Sequence, residues 1–442
     1  MPAMLLNLAE VGLGALLSRT GVRMRRKNAV RVAWFIAAFL GGLDEGARAV
    51  AQSASRPNPA PLATTATIDV IADLIYDTNV AQSGAFLASR RGLRLSDVSA
   101  RPSVAVNLGR RLGRQTLFLQ GSAGYDFYDR NRILNRERID AHSGVLLVAG
   151  PCSGTISGDY GRRQSELADL ALVNKIPELN IVRNTEETKK ADITGECGAK
   201  IGLAPTFDVS ETWNNSNSTL LKASDSSTFS TMGGLAYQRP TFGKISVTGS
   251  YSAVEFPNRG NIVGGVAFKE SYRLYAGGLS YERRIGARLD GTFSASYTSL
   301  VLNIPGAKGF RGLTYSADGS YQLDPRLQLK LTIARATLPS SRVDATFSVN
   351  TSVTSELEYT VSQRLLLRVG GGRVHRNYPG ALGTAGLDLT QETVYSGHGD
   401  ATYSLNRRIS LGLNVTYTQR NANFQPLTYS GTNVALSIKS TF

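Results

Sequence analysis

An apolar side chain at every second position, repeated through most of the 442 residues, constrains this chain more than any single motif in it. In RISLGLNVTYTQR, Arg408 to Arg420, one parity holds Ile409, Leu411, Leu413, Val415 and Tyr417, and the other holds Ser410, Gly412, Asn414, Thr416 and Thr418. Successive side chains of a strand point to opposite faces, so such a stretch is a strand between two different environments. A soluble sandwich gives the pattern with its apolar face inward. A transmembrane barrel gives it inside out, apolar toward lipid and polar toward the lumen.

The links between strands separate these two architectures. Strand-like stretches, 18 in all, begin near Thr67, Val98, Gln115, Asp140, Gly154, Thr188, Phe207, Ser227, Lys244, Tyr272, Leu289, Gly312, Arg326, Thr346, Leu365, Glu392, Arg408 and Ser430. Short links such as GPCSG, QLDPR and VSQR alternate with long ones such as DTNVAQSGAFLASRRGLRLSD, WNNSNSTLLKASDS and FPNRGNIVGGVAFK. Short periplasmic turns alternating with long external loops is the outer-membrane pattern, and a sandwich has no reason to sort its loops this way. An even strand count puts both ends of the barrel on the short-turn side. The expectation is all-β: a single antiparallel transmembrane β-barrel of about 18 strands over residues 67–442, in the outer membrane of a Gram-negative bacterium.

The residues before the barrel read as an address. Arg25, Arg26, Lys27 and Arg31 precede an apolar run from Val32 to Leu43, and Ala49-Val50-Ala51 forms an A-x-A site with cleavage before Gln52. That run is short of the roughly 20 residues a spanning helix needs. The alternatives to a cleaved signal at 1–51 are a buried helix or a membrane anchor. Residues 1–23 are either upstream of a true start at Met24 or a long n-region, and 52–66 read as a periplasmic leader. Removing 1–51 takes Lys/Arg from 49 to 42 and Asp/Glu from 34 to 31, so net charge falls from +15 to +11. Export makes nucleic acid an unsuitable partner for this basic chain, and anionic lipid headgroups or polymers fit better.

The faces carry the same reading. Ile68, Val70, Leu74 and Tyr76, then Ile245, Val247 and Tyr251, then Leu289, Phe293 and Tyr297, then Leu327, Leu329, Leu331 and Ile333 are expected toward lipid. Asp69, Asp73, Lys244, Asp290, Asp318, Lys330, Glu356, Glu358, Arg368 and Arg408 fall on the opposite parity and are expected to line the lumen. Strand-end tyrosines Tyr76, Tyr128, Tyr359 and Tyr417 suit aromatic girdles, with core positions as the alternative. In the last strand Val434, Leu436, Ile438 and Phe442 share the lipid parity with Ser440. A terminal Phe on such a strand resembles the signal read by the barrel-assembly machinery.

IYDTNV at 75–80, PCSGTISGDYGRRQSELADL at 151–170 and NTEETKKADITGECGAKIGLAP at 184–205 resemble the β-barrel porin family of outer-membrane proteins associated with exopolysaccharide production. The resemblance implies an outer-membrane barrel and a link to polysaccharide or its export machinery. It implies no active site.

Cys152 and Cys197 are expected to pair, since an exported chain meets an oxidising compartment, with a redox or metal site as the alternative. His142, His375 and His398 stand singly and read as residues near outer loops. His142 and Ser143 are adjacent on one strand and point apart, so they cannot act as a nucleophile–base pair. VGGGRV at 369–374 lacks the following helix and Lys of a phosphate loop. No catalytic residue, metal or cofactor is expected. Arg368 falls opposite Glu356 or Glu358, and the glutamates lie near Lys330: either a cross-strand ion ladder or a transverse field that orients polar solutes. Arg90, Arg91, Arg94, Arg130, Arg132, Arg136 and Arg138 are expected in outer loops, meeting lipopolysaccharide phosphates or an anionic polysaccharide. Residues 167–184 could fold into the lumen as a plug or pack on a partner outside. The functional expectation is a polar conduit for small hydrophilic solutes or exported polysaccharide. The alternative is a non-conducting barrel that anchors surface polysaccharide or a secretion partner.

Overall fold

The computed structural model describes residues 65–165, 167, 183–198, 201–263, 266–304, 308–340, 345–379 and 389–442. The expected signal at 1–51 with Ala49, Ala51 and Gln52, the leader up to residue 64, and 168–182 of the candidate plug lie outside the described residues.

Period-two patterning becomes strands β1 (Thr65–Asp77), β2 (Asp97–Leu112), β3 (Gln115–Tyr128), β4 (Arg136–Ala149), β5 (Cys152–Gln164), β6 (Thr185–Cys197), β7 (Gly202–Ser216), β8 (Ser226–Arg239) and β9 (Gly243–Val263). They continue as β10 (Val266–Ile285), β11 (Leu289–Leu302), β12 (Phe310–Asp324), β13 (Leu327–Pro339), β14 (Phe347–Thr360), β15 (Leu365–Asn377), β16 (Gln391–Ser404), β17 (Ile409–Ala422) and β18 (Tyr429–Thr441). Each strand pairs antiparallel with its sequence neighbours, and β1 also pairs with β18, so the 18-stranded sheet closes without an edge. At the seam Ile68 N donates to Phe442 O at 3.1 Å and Phe442 N donates to Ile68 O at 2.9 Å. Closure matters because an unpaired strand edge in lipid leaves backbone groups with no water to satisfy them.

Two elements start well before their expected positions. β7 begins at Gly202 rather than Phe207 because Pro205, which reads as a turn signal, lies just past the last β6–β7 pair, Glu196 with Thr206. Proline is tolerated at such strand ends. β10 begins at Val266 rather than Tyr272 because residues 260–263 and 266–269 extend the β9–β10 ladder, with a register shift between Lys269 and Ser271. At the periplasmic side the tight turns use left-handed glycines, Gly113 at φ 63° and Gly150 at φ 58°, where an L side chain would be strained.

Register fixes which residues face out. The apolar parity stays outward on every strand round the ring, and Leu74 (53 %), Leu279 (58 %) and Phe293 (52 %) are half or more exposed. A continuous apolar belt of this size is stable only against hydrocarbon. Val434, Leu436 and Ile438 join it, in register with Val415, Leu413 and Leu411 of β17.

Cys152 and Cys197 face each other across β5 and β6 at the periplasmic rim and form a disulfide that closes a separation of 45 residues. Chain-entropy arguments assign a loop of that size about 4 kcal/mol. Cys197→Ser is therefore expected to lower the temperature at which the folded band shifts on a gel, and unreduced and reduced wild type should differ in the same direction. Identical transitions in all three samples would show that the bond adds nothing.

Candidate functional site

The inward parity builds a polar wall that changes character round the ring. From β1 to β7 it is rich in acid: Asp69, Asp73, Asp77, Asp97, Asp126, Asp140, Asp159, Glu186, Asp192, Glu196 and Asp208 stand among fewer bases, Arg101, Arg111, Arg136, Arg138, Arg163 and Lys190. Local pairs fix several of them: Lys439 with Asp69 at 2.7 Å, Arg101 with Asp126 at 3.6 Å, His142 Nδ1 with Asp159 at 2.6 Å, and Lys244 with Glu196 at 2.6 Å.

From β8 to β12 the same parity carries hydroxyls. Ser230 and Ser252 meet at 2.9 Å, Ser294 and Ser316 at 2.7 Å, and Thr298 and Thr314 at 2.7 Å. β10 lies half-way round the ring from β1, so β10–β12 face β1–β3 across the lumen, and the β8–β12 stretch is the more sparsely charged, with Lys244, Asp290 and Asp318 among its hydroxyls.

A charge ladder follows on β13 to β16. Lys330 lies 3.1 Å from Glu356 and 3.5 Å from Glu358, and Arg368 Nε donates to Glu358 at 2.9 Å. His398 continues it, 3.6 Å from Glu356 and 3.8 Å from Asp400. Its ring occupies the space that Gly370 leaves, since a Cβ there would lie 2.5 Å from His398 Cε1. The glycines of VGGGRV thus admit a neighbour's side chain.

The outer mouth is where the fold buries its apolar groups. One cluster joins Val80, Ala81, Ala88 and Leu93 to Leu134, Leu167 and Leu221, drawing on four different loops. A second joins Val254, Phe256, Tyr272 and Leu300 to Phe347 and Val349. A third joins Ala345, Tyr378, Leu389 and Leu427. Buried ions tie the layer together. Arg259 pairs with Glu270 at 3.1 Å and donates to Ala223 O at 2.9 Å and Ser340 O at 3.2 Å. Glu392, with no side-chain exposure, accepts from Arg420 Nε at 2.7 Å, Arg376 Nη1 at 3.1 Å and Tyr378 Oη at 2.9 Å.

Asp69, Asp73, Lys244, Asp290, Asp318, Lys330, Glu356, Glu358 and Arg368 lie on the lumen parity, Asp290 at the periplasmic rim, and Glu358 is directly opposite Arg368. Arg408 keeps that parity one residue before β17, exposed at the periplasmic rim, where its carbonyl accepts from Thr441 N at 2.7 Å. Arg136 and Arg138 belong to the inner face of β4, not to an outer loop, since Glu137 and Ile139 take the outward parity. Tyr128 also turns inward, accepting from Arg101 Nη2 at 3.2 Å, and Phe127 takes the girdle position. His142 and His398 are wall residues rather than loop residues. The mouth clusters carry no sequence signature, because their members come from loops and strand ends far apart in the chain, whereas Arg376 of the Glu392 network is its direct cross-strand partner on β15.

A closed barrel, lipid-facing outside and polar inside, defines the class: a transmembrane β-barrel of the Gram-negative outer membrane. Its residues 269–442 match the family model described as "Putative beta-barrel porin 2", the kind of family the sequence resembles. A comparison with curated proteins returns no match. Among solved structures the chain is similar to OccK2 (OpdF) of Pseudomonas aeruginosa in complex with glucuronate, with 10% identity over 86% of this chain and 98% of that one and a TM-score of 0.46. It is also similar to opdK of the same organism, with 12% identity over 86% and 99% and a TM-score of 0.43.

Proposed function

We propose that the barrel is a passive conduit for small hydrophilic solutes or an exported polysaccharide, its selectivity set by the charge of the lumen wall. The observation that carries this reading is the split wall, acid-rich on β1–β7 and hydroxyl-lined on β8–β12. Carboxylates along a pore favour cations, and carboxylates and hydroxyls on one continuous wall present acceptors and donors to a hydrated polyol. The polysaccharide element rests on the family resemblance.

Proteoliposome permeation tests the reading. Neutral and cationic sugars are expected to pass faster than anionic sugars of the same size. Equal exclusion of all three would remove the conduit. Lys330→Glu with Arg368→Glu strips the bases from the ladder and is expected to raise the cation-to-anion permeability ratio about fivefold, since a unit charge at about 4 Å in water is worth about 1 kcal/mol. An unchanged ratio would make the ladder purely structural, which is its cross-strand alternative.

The buried layer at the mouth favours a second reading, a non-conducting barrel that anchors surface polymer or a secretion partner. Permeation by none of the solutes, even after the mouth is loosened, would select it.

A further inference from the structure

The outer face carries a feature that conduction does not use. On the lipid side of β8–β11 lies a groove of about 500 Å³ whose floor is Gly233, Gly249 and Gly277, adjacent in register, and whose walls are Tyr251, Tyr275 and Tyr297. Each of these glycines has open space where a Cβ would stand. Tyr251 and Tyr275 pack ring to ring at 5.3 Å, so the wall is preformed.

Basic groups crown the groove. Arg273 lies two residues outward of Tyr275 on the same face of β10, roughly 7 Å along the strand. Arg311 pairs across the ladder with Ser299, itself a groove residue. Arg335 and Arg373 extend the outward row along β13 and β15, Arg335 with a buried Nε lacking a hydrogen-bond partner and Arg373 over the Tyr395 ring at 5.9 Å.

None of these four forms an ion pair with a described carboxylate, and Glu255, outward on neighbouring β9, does not pair with Arg273. At the same rim on the other side of the barrel the outward charges are matched within the chain: Arg162 with Glu137 at 2.8 Å and Lys189 with Glu187 at 2.8 Å. Two sides of one rim are thus treated differently. Unmatched guanidinium groups at a headgroup level are stabilised by phosphate, with which they form bidentate hydrogen bonds, and a dry aromatic groove directly below suits an acyl chain.

We propose that this face is a binding site for one phosphorylated, multiply acylated glycolipid of the outer leaflet, its phosphate on Arg273 and Arg311 and one chain in the glycine-floored groove.

The probe is purified bisphosphorylated lipid A, mixed with the folded full chain in detergent and followed by native mass spectrometry after detergent exchange. Wild type is expected to retain lipid A. Arg273→Gln with Arg311→Gln is expected to retain it about 30-fold less well, the loss of two basic contacts at about 1 kcal/mol each. Dephosphorylated lipid A should bind wild type no better than it binds that double variant. Gly249→Leu with Gly277→Leu, which fills the groove, should weaken both lipids. If the filled variant does not fold, the arginine variant and the dephosphorylated lipid decide the matter alone. Equal retention by wild type and the arginine variant would overturn the proposal, as would a wild-type dimer in the ultracentrifuge that groove filling dissolves, because the face would then be an interface between copies.

Discussion

Glu392→Gln is expected to loosen the outer mouth and raise conductance in a planar bilayer several-fold. The carboxylate is the shared countercharge of Arg376 and Arg420, with side chains 12% and 2% exposed, and it also accepts from Tyr378, a member of the apolar cluster that holds Ala345, Leu389 and Leu427. Removing one partner of a buried pair costs about 3–5 kcal/mol. Each 1.4 kcal/mol is a factor of about ten in a population, so a fraction of that cost falling on the mouth layer is enough to make its loosened arrangements several-fold more frequent. The barrel itself should survive, because the wall below is held by backbone ladders that the substitution does not touch. A variant that keeps the folded gel band and the wild-type current would show that these loops do not control passage.

Deleting Tyr429–Phe442 is expected to abolish the folded state altogether. β18 is the closing element: it pairs with β17 from Ile409–Ser440 to Arg420–Tyr429 and with β1 from Asp69–Thr441 to Asp77–Asn433. Without it two ladders are left open in hydrocarbon, where each unsatisfied backbone group costs several kcal/mol. Lys439 and Thr441 also leave Asp69 behind on the inner wall. No heat-modifiable band should form in detergent or lipid. Removing Phe442 alone is a milder change, since it breaks only the two hydrogen bonds with Ile68. A compact, heat-modifiable product from the full deletion would mean that the remaining strands close by another pairing.

Where the chain's own periodicity supplied the constraint, the structure could be read in advance. Parity in RISLGLNVTYTQR and in the last strand sets the outward side of β17 and β18, and tracing strands from the VSQR turn brings Glu358 opposite Arg368. Tyr128 could have been placed by the same rule, since Leu117 and Leu119 fix odd positions of β3 outward and leave residue 128 facing in. Parity also carries Arg408 inward, but only to the exposed rim, because β17 begins one residue later. The mouth was not legible. Arg259 reaches Ser340 and Asn79 reaches Ser430 across long separations in sequence, and such contacts depend on where each loop lands rather than on any local pattern. His398 became a ladder residue only because Gly370 leaves room for it on the next strand.

Single-channel recording of the purified, folded protein under a KCl gradient bears most directly on a polar, charge-selective conduit. Steady ohmic steps are expected from wild type, larger or more frequent in Glu392→Gln, with a reversal potential showing preference for potassium. Silence from both proteins, each carrying the folded gel band, would contradict the conduit and leave the anchoring role.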